Sequence, residues 1–257
     1  MKFIFDLDGT ICFKGKPVSE DITHCLLELQ SDGHEVFFAS ARPIRDILPV
    51  LDKRLHTFPL IGGNGSLIFH KGEVIHSTSF HRNDLVKILS LIDQYKATYL
   101  IDSEWDYAYT GPTDHPILHF LDPSNLARRL PVASLNSIVK ILLLTSTNHM
   151  DLIDDLKSLD IVVNIHTSEK VVDISPPNVH KWNALSRVGV VEEDFIAFGN
   201  DSNDISMFSK ARHAVMIGYH EGLSSFADEQ IPLTGEYEGN IIRKLKELSF
   251  EYNEIRK

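Results

Sequence analysis

The stretch Lys2–Thr10, KFIFDLDGT, opens the sequence with an apolar run that ends on two carboxylates, Asp6 and Asp8. A short apolar run bounded by a glycine turn predicts a buried strand of a parallel sheet. In open α/β sheets the ligand crevice lies outside the carboxyl ends of the strands. Because the chain turns at Gly9, both carboxylates can converge on one point, where they repel unless a cation or a proton lies between them. The stretch therefore predicts chemistry at this strand end, with a solvated Asp-x-Asp-Gly turn as the alternative.

The composition and the charge limit the class of protein. The 257 residues are 43% hydrophobic and 24% charged, which is ordinary globular composition and fits one large domain or two smaller ones. With 36 acidic against 25 basic residues the net charge is −11, and the chain has no basic run. We therefore expect no nucleic-acid partner.

Two further features bear on the compartment. Asp6 interrupts any secretory hydrophobic region, and later apolar stretches such as Ile141–Leu144 are too short to span a bilayer, so we expect no membrane partner. Cys12 and Cys25 form no close-spaced pair, which favours two reduced, buried thiols and a cytoplasmic protein.

Strands alternate with helices in both end regions of the chain, which predicts a doubly wound parallel α/β core. The predicted core strands after the first are Glu35–Ser40, Pro59–Gly65, Phe195–Phe198 and Ala214–Ile217, with a hairpin over 67–76. The predicted core helices begin near Ser19, near Val179 and at Ile241, the last running to Leu248 with a mobile tail after Phe250.

From about Phe80 the pattern changes to strand pairs with helices on one side, which predicts a separate α+β module inserted into the core. The predicted elements are helices Asn83–Tyr95, Pro123–Leu130 and Met150–Ser158, and strands Thr98–Asp102, Tyr107–Thr110, Val139–Leu144, Ile161–Ile165 and Val171–Ile174. We therefore expect a core of residues 1–80 and 179–257 and an inserted domain of residues 81–178.

Polar groups follow the other predicted core strands as well. Ser40-Ala41-Arg42 ends the second strand, Gly62–Gly65 (GGNG) ends the third, and Gly199–Asp204 (GNDSND) follows Phe195–Phe198. Taken singly, these are a helix cap, a tight turn and an Asn/Asp-rich turn.

Taken together and in this order, these motifs resemble the four motifs of the haloacid dehalogenase superfamily of phosphohydrolases. Asp6–Thr10 resembles the first motif. Ser40 resembles the second, where the common form Thr-Gly-Arg is replaced here by Ser-Ala-Arg. Lys181 resembles the third, and Trp182 follows it where relatives usually have glycine. Gly199–Asp204 resembles the fourth, commonly Gly-Asp-x-x-Asn-Asp. The resemblance covers essentially the whole chain, and the inserted module makes it similar to the Cof-type subfamily with a large α/β cap of the C2B type.

The resemblance implies roles for individual residues. Asp6 would be the nucleophile, Asp8 the general acid and base, and Ser40 and Lys181 would hold the phosphoryl oxygens. The implied substrate-binding residues are Gly9, Thr10, Ala41, Arg42, Asn64 and Asn203. The implied Mg²⁺ ligands are Asp6, the Asp8 carbonyl, Asn200 and Asp204. Because Asn200 stands in place of the usual acidic ligand, the site loses one negative charge, for which the neighbouring Asp201 could compensate.

The resemblance implies a Mg²⁺-dependent phosphomonoester hydrolase that acts on a small phosphorylated metabolite, such as a sugar phosphate, through an aspartyl phosphate. The alternatives are a phosphomutase or phosphotransferase and a catalytically silent binder of phosphorylated metabolites. We expect a monomer or a homodimer. Among the inserted residues, the candidates for substrate contact, or alternatively for packing, are Trp105, Tyr107, Tyr109 and His115.

Overall fold

The computed structural model describes residues 1–166 and 171–254, and this part of the chain contains two β-sheets flanked by helices. The strands are, in chain order, β1 (Lys2–Phe5), β2 (Glu35–Ala39), β3 (Leu60–Gly62), β4 (Leu67–His70), β5 (Glu73–Ser77), β6 (Thr98–Asp102), β7 (Tyr107–Tyr109), β8 (Lys140–Thr145), β9 (Val162–His166), β10 (Val171–Ser175), β11 (Phe195–Gly199), β12 (His213–Ile217) and β13 (Glu229–Ile231). The helices are α1 (Glu20–Ser31), α2 (Ile44–Ile47), α3 (Arg82–Gln94), α4 (His149–Lys157), α5 (Lys181–Arg187), α6 (Ile205–Phe208), α7 (Glu221–Ser224) and α8 (Tyr237–Glu254).

The first sheet has the strand order β13-β12-β11-β1-β2-β3-β4-β5, which places β1 near its centre. From β13 to β3 all pairs are parallel, and the β3–β4–β5 end is antiparallel. Parallel strands need both faces covered, so their sequences are almost continuously apolar. In β1 the residues Phe3, Ile4 and Phe5 are all fully buried.

The two faces of this sheet pack against different helices. Phe5 stacks on Phe198 of β11, with ring centroids 4.8 Å apart, in a cluster that includes residues of α1 and α8. Ile4 and Phe37 face the opposite way, toward a cluster with residues of α5 and α6. The chain is therefore an α/β protein with a doubly wound core, as the sequence predicts, and its parallel sheet carries an antiparallel edge.

The second sheet has the order β7-β6-β8-β10-β9 and is antiparallel throughout. Ile101, Ile141 and Val172 point to one face, where they pack with buried residues of α3 and α4. The other face carries the alternate residues. This sheet and its two helices form the inserted α+β unit, called the cap below; the exact domain boundaries given above stay a prediction.

The predicted helix Pro123–Leu130 is wrong, because this segment forms turns instead. Asp122 and Asn125 have φ angles of 45° and 51°, which a helix does not allow. The Asp122 carboxylate accepts from the backbone N–H groups of Leu126 and Ala127, and the backbone of Tyr107 accepts from the Leu130 N–H. These local bonds replace the helical pattern.

The C-terminal region also differs from the prediction. The last helix begins at Tyr237 and continues to Glu254, so the tail expected to be mobile after Phe250 is helical as far as the structure describes it. Its apolar stripe, including Leu248 and Tyr252, packs into the core. The edge strand β13 was not predicted. No helix in the described ranges is both long and apolar enough to cross a bilayer, and Cys12 and Cys25 are free and buried.

Candidate active site

Three parallel strands bring polar residues to one edge of the core sheet. Phe5 pairs in register with Phe38 and with Phe198, so the residues just beyond these positions lie side by side. Asp6 follows β1, and its backbone N–H donates to the carbonyl of Phe198 at 2.9 Å. Ser40 follows β2. The carboxyl end of β1, which the sequence predicts, therefore lies between the ends of β2 and β11 at a polar edge of the sheet.

A buried lysine lies between two carboxylates at this edge. Lys181 Nζ is 2.6 Å from Asp6 Oδ1 and 2.6 Å from Asp204 Oδ1. The side chains of Lys181 and Asp204 are fully buried, and that of Asp6 is 6% exposed. The low dielectric of such a site strengthens both ion pairs. With both carboxylates ionised, two negative charges face one ammonium.

Burial changes the protonation of this cluster. Burial raises the pKa of Asp6 to about 7, with further contributions from Asp204 and Asp8, while Lys181 opposes the rise. For Lys181 burial alone would lower the pKa, but the carboxylates of Asp204 and Asp6 outweigh it and raise the pKa. The ammonium form of the lysine is therefore favoured.

The start of helix α5 positions Lys181. His180 caps this helix, since its Nδ1 accepts from the Asn183 N–H at 3.3 Å. Trp182, which replaces the glycine common in the family motif, packs its ring on Phe195 with centroids 5.7 Å apart. The tryptophan therefore occupies the hydrophobic layer behind the sheet, and the lysine still reaches Asp6.

Two oxygen atoms converge on the hydroxyl of Thr10. Thr10 Oγ1 lies 3.0 Å from Asp6 Oδ2 and 3.2 Å from Asn200 Oδ1, and a hydroxyl has only one hydrogen to donate. Gly9, with φ of 80°, packs directly against the Asn200 amide, so any Cβ at position 9 would clash. The lack of a side chain at Gly9 therefore leaves room for the Asn200 amide beside Thr10.

Asp8 forms a bidentate ion pair with Arg42. Its Oδ1 accepts from Arg42 Nη2 at 2.6 Å and its Oδ2 from Arg42 Nε at 2.7 Å. The Asp8 side chain is 48% exposed and faces the cavity described below. The Arg42 guanidinium also lies over the Phe120 ring of the cap, 5.6 Å from its centroid.

The turn after β3 supports the Ser40 loop. Asn64, with φ of 60°, donates its backbone N–H to the Ser40 carbonyl at 3.0 Å. Ser40 Oγ accepts from the Arg42 N–H at 3.1 Å, which leaves its own hydrogen for another acceptor. The Asn64 side chain is buried and bridges Asn203 of the core and Asp173 of the cap, at 3.3 and 3.0 Å.

Both carboxylate oxygens of Asp204 are engaged within the protein. Oδ1 accepts from Lys181, and Oδ2 accepts from the backbone N–H groups of Asn200 and Asp201, at 2.8 and 3.1 Å. Asp201 by contrast is partly exposed and lines the cavity described below. Its Oδ1 accepts from the Ser202 N–H and lies 3.4 Å from His220 Nε2. Asp204 therefore fixes the loop and the lysine, while Asp201 caps the next turn.

A cavity of about 700 Å³ opens over this edge, between the core and the helix-free face of the cap sheet. The core residues in its lining include Asp6, Asp8, Ser40, Ala41, Arg42, Asn200 and Asn203. The structure thus brings all the predicted site residues to this edge or into the loops that support it. Of the four cap residues considered as substrate contacts, His115 lines the cavity, and Trp105, Tyr107 and Tyr109 do not.

Two cap residues in the lining were not predicted. Lys140 Nζ donates to the Ala41 carbonyl at 2.7 Å and lies 2.9 Å from Asp173 Oδ2. Both side chains are almost fully buried. Asp173 lies within the apolar strand Val171–Ser175, and a charged residue in such a strand could have indicated a functional position. Lys140 gave no such indication, because a lysine at the start of a strand is typical of a solvated strand end.

The buried ion pair of Arg45 with Asp102 joins core and cap, and Asp102 also lines the cavity. Arg45 of α2 is fully buried, and its Nη2 donates to Asp102 Oδ1 of β6 at 2.5 Å. Its Nη1 donates to the Trp105 carbonyl at 3.0 Å, and the guanidinium lies 4.9 Å from the centroid of the Tyr107 ring. The cap is therefore held to the core by a desolvated charge pair as well as by the two linkers.

The oxygen atoms at this edge that could bind a metal ion are mostly uncharged. Among the residues that the structure describes, no group of three or more His, Cys, Asp or Glu is arranged to hold a metal ion. A hard cation there would use the Asp6 carboxylate, the Asp8 carbonyl and the Asn200 side-chain oxygen. The convergence of the Asp6 and Asn200 oxygens on the Thr10 hydroxyl fits such an ion.

Comparisons with known proteins agree with this geometry. A 5-amino-6-(5-phospho-D-ribitylamino)uracil phosphatase of Bacillus subtilis is 23% identical over 261 residues, covering 94% of this chain and 95% of that protein. A haloacid dehalogenase-like hydrolase from B. subtilis has a similar fold, with a TM-score of 0.77, 20% identity and coverage of 96% of this chain and 99% of that one.

A sugar phosphatase of haloacid dehalogenase subclass IIB also has a TM-score of 0.77, with 17% identity and coverage of 96% of this chain and 98% of that one. At these identities the structural likeness establishes the fold. The family model described as haloacid dehalogenase-like hydrolase matches residues 3–238, nearly the whole chain. The protein therefore belongs to the haloacid dehalogenase-like hydrolases and is an enzyme of the phosphatase type.

Proposed function

We propose that the protein is a Mg²⁺-dependent phosphomonoesterase that hydrolyses a small phosphorylated sugar or polyol through an aspartyl phosphate. The observation that carries the proposal is the buried Asp6–Lys181–Asp204 cluster, with Asp8 two residues along the chain facing the cavity. A carboxylate beside a buried ammonium is suited to meet a phosphoryl dianion, because the ammonium offsets the repulsion between the two anions.

In the proposed reaction an Asp6 carboxylate oxygen bonds to phosphorus while the bond between phosphorus and the leaving oxygen breaks. Asp8 donates a proton to that leaving oxygen. Asp8 then accepts a proton from the water that attacks phosphorus, which releases phosphate and restores Asp6. Ser40 and Lys181 hold the phosphoryl oxygens throughout.

The neighbouring residues orient the phosphate in this proposal. The backbone of Gly9, Ala41 and Arg42 lines the phosphate position, while Thr10 orients the Asp6 carboxylate. Asn203 and Asn64 orient the leaving group through their shared hydrogen bond.

Mg²⁺ would be held by Asp6, the Asp8 carbonyl and Asn200, with Asp204 in support, and would reduce the repulsion between Asp6 and the phosphate. Asp204 acts through Lys181 and the loop amides, since both of its oxygens already accept hydrogen bonds.

Arg42 has to leave Asp8 during the reaction. A carboxylate that accepts two N–H bonds from a guanidinium has no proton to give. We infer that the incoming phosphate, a stronger partner with more negative charge, draws Arg42 away and allows Asp8 to take part. The contact of Arg42 with Phe120 links this movement to the cap.

Two alternatives keep the same residues. A phosphomutase or phosphotransferase would use Asp6 in the same way but exclude water from the aspartyl phosphate. A catalytically silent binder would lack turnover, with Asn200 as its first sign of lost function. The family membership, with Asp6, Asp8, Ser40 and Lys181 all present at one edge, favours the hydrolase. A cytoplasmic location and a monomeric or homodimeric state stay predictions.

The proposal is tested by turnover of p-nitrophenyl phosphate with Mg²⁺ and with the metal removed by a chelator. We expect release of p-nitrophenolate that depends on added Mg²⁺. Addition of an acceptor sugar should not divert the phosphoryl group from water. Transfer to the sugar in preference to water would instead identify a transferase, and absence of turnover with every phosphomonoester tried would identify a binder. The phosphoribitylaminouracil compound named for the B. subtilis relative belongs among the compounds tried.

The metal site gives a separate prediction. We expect Asp204→Asn to raise the Mg²⁺ concentration for half-maximal activity by roughly 10–100-fold, the range for loss of a residue that supports metal ligands. Asp201→Asn, the matched control in the same loop, should change it little, because that carboxylate caps a turn and has no hydrogen bond to Lys181 or Asp6 among the described contacts. Asn200→Asp should lower it, since the site gains a charged oxygen.

The measurement is a Mg²⁺ titration of activity for the three variants and the unaltered protein. A larger effect of Asp201→Asn than of Asp204→Asn would show that the loop is aligned one position off, and the ligand set would then include Asp201.

A further inference from the structure

Three successive carbonyl groups of the loop after β2 each accept a hydrogen bond. The carbonyls of Ser40 and Arg42 accept from backbone N–H groups of the turn Gly63–Gly65, at 3.0 and 2.8 Å. The Ala41 carbonyl between them accepts from Lys140 Nζ at 2.7 Å. Among the described donors to these three carbonyls, the lysine is therefore the one that comes from the cap.

The peptide group between Ala41 and Arg42 is held on both sides. A planar trans peptide directs its C=O and its N–H in opposite directions. The C=O of this peptide accepts from Lys140, while its N–H donates to Ser40 Oγ at 3.1 Å. The lysine therefore helps to fix the orientation of the N–H group that binds the Ser40 hydroxyl.

This N–H group determines how the Ser40 hydroxyl can bind a ligand. A hydroxyl has one hydrogen and two lone pairs. Because one lone pair of Ser40 Oγ accepts from the Arg42 N–H, the hydroxyl hydrogen is directed to another acceptor, and Ser40 lines the cavity. A positive charge at the carbonyl of a peptide also polarises its N–H, which strengthens the bond to the hydroxyl. The charge of Lys140 therefore acts on Ser40 through a single peptide group.

The cap holds Lys140 in place for this contact. Lys140 begins β8, and Asp173 of β10 pairs in register with Leu142, two residues from Lys140, so the three side chains share one face of the cap sheet. The ion pair of Lys140 with Asp173 measures 2.9 Å, and the two side chains are 5% and 2% exposed. The Asp173 carboxylate also accepts from the Asn64 side chain, whose backbone N–H holds the Ser40 carbonyl. The ion pair therefore reaches two peptides of the loop, one directly and one through Asn64.

The buried pair of Arg45 with Asp102 lacks such a connection. Arg45 of the core donates to Asp102 and to the Trp105 carbonyl, both of which belong to the cap. None of its described hydrogen bonds reaches the loop after β2. Arg45 can therefore attach the cap to the core, whereas Lys140 in addition binds a backbone carbonyl beside the proposed phosphate position.

We propose that Lys140 is a positioning residue for phosphate binding, which orients the Ala41–Arg42 peptide and, through it, the Ser40 hydroxyl. The inference rests on the proposed phosphatase function and deepens it, because it names a cap residue on which the phosphate site of the core depends. Lys140 acts here without touching the phosphate. If the cap moved away from the core, the lysine would leave with it, and Ser40 would lose this orientation.

The test is a double-mutant cycle of Lys140 and Ser40, measured as the affinity for inorganic phosphate in calorimetric titrations with Mg²⁺ present. Ser40→Ala should weaken phosphate binding by roughly 10–100-fold, the range for a hydrogen bond to a charged group. Lys140→Met should weaken it by about three- to tenfold, the range for an ordinary hydrogen bond. In the Ser40→Ala background Lys140→Met should change it by less than about twofold, because the hydroxyl that the lysine orients is gone.

Further variants separate positioning from support of the fold. Lys140→Met combined with Asp173→Asn leaves no unpaired charge, so it should give the same cycle even if Lys140→Met alone folds poorly. Lys140→Arg keeps a charged donor and should restore most of the lost affinity. Lys157→Met is the matched control, since Lys157 is an exposed lysine of α4 outside the cavity lining, and it should leave phosphate binding unchanged. Thermal unfolding of each variant checks the fold.

The outcomes distinguish this inference from the proposed function. Weakening by the same factor with and without the Ser40 hydroxyl would overturn the inference, because the lysine would then only support the cap. No effect of Lys140→Met, or of Ser40→Ala, on phosphate binding would overturn it as well. The cycle needs no turnover, so it can support the positioning role even if the protein hydrolyses no phosphomonoester. Turnover of p-nitrophenyl phosphate by the unaltered protein tests the phosphatase function separately.

Discussion

Replacement of Asp6 by asparagine is expected to lower kcat for phosphomonoester hydrolysis by at least about a thousandfold, the scale of loss when a central catalytic group is removed. An amide nitrogen or oxygen is a poor nucleophile toward phosphorus, so the aspartyl phosphate cannot form. The substitution preserves the volume of the side chain. It also leaves Lys181 paired one-to-one with Asp204, so the fold should persist.

The measurement is steady-state turnover of p-nitrophenyl phosphate, with thermal unfolding as the check on the fold. Asp194→Asn is the matched control, because that carboxylate lies just before β11, is 54% exposed and pairs with Lys2 at the surface, away from the site. It should keep full activity. Activity of the Asp6 variant within tenfold of the unaltered protein would rule out Asp6 as the nucleophile.

Replacement of Asp8 by asparagine is expected to lower kcat by roughly 10²–10⁴-fold for a substrate with an alkyl leaving group, the range for loss of a general acid or base. The amide introduced at this position can neither protonate the leaving oxygen nor activate water, so both half-reactions should slow. Since the Asp8 side chain is 48% exposed and its carboxylate bonds to the Arg42 side chain, stability should change little.

Single-turnover phosphorylation distinguishes the two roles of Asp8. p-Nitrophenolate leaves without needing a proton, so its phosphoryl transfer to Asp6 should be slowed much less than transfer from an alkyl phosphate. Equal loss for both kinds of leaving group would contradict the general-acid role. The Asp201→Asn variant, whose carboxylate is also partly exposed at this edge, should show neither effect.

Much of the fold and of the site could be predicted from local sequence patterns. An apolar run followed by a turn and a polar residue predicts a buried strand and its carboxyl end, and this pattern occurs at Asp6, Ser40 and Gly199. Because the carboxyl ends of parallel strands lie at the same edge of a sheet, these three local patterns together predict that the polar residues lie side by side. The structure confirms the α/β core and the cap, and places the predicted site residues at that edge; their catalytic roles stay predictions.

Contacts between distant segments could not be predicted in this way. Lys140 reaches Ala41 and Asp173 reaches Asn64 across the gap between the two sheets, and no spacing along the chain specifies such a meeting. The prediction of a helix after Pro123 was wrong for a related reason. Its composition permits a helix, but the Asp122 carboxylate and the backbone of Tyr107 offer its N–H groups other partners.

The buried pair of Arg45 and Asp102 has a consequence for the exchange of caps between relatives. Arg45 belongs to the core and pairs there with Asp46 at 3.3 Å, but its closer carboxylate partner Asp102, its carbonyl partner and the ring beneath it belong to the inserted unit. A foreign cap joined at the two linkers would leave a fully buried guanidinium facing groups that do not match it. Removal of one partner of a buried ion pair costs about 3–5 kcal/mol, a large part of the stability of an ordinary domain. A chimera with another cap therefore needs position 45 to be replaced along with the transplanted segment.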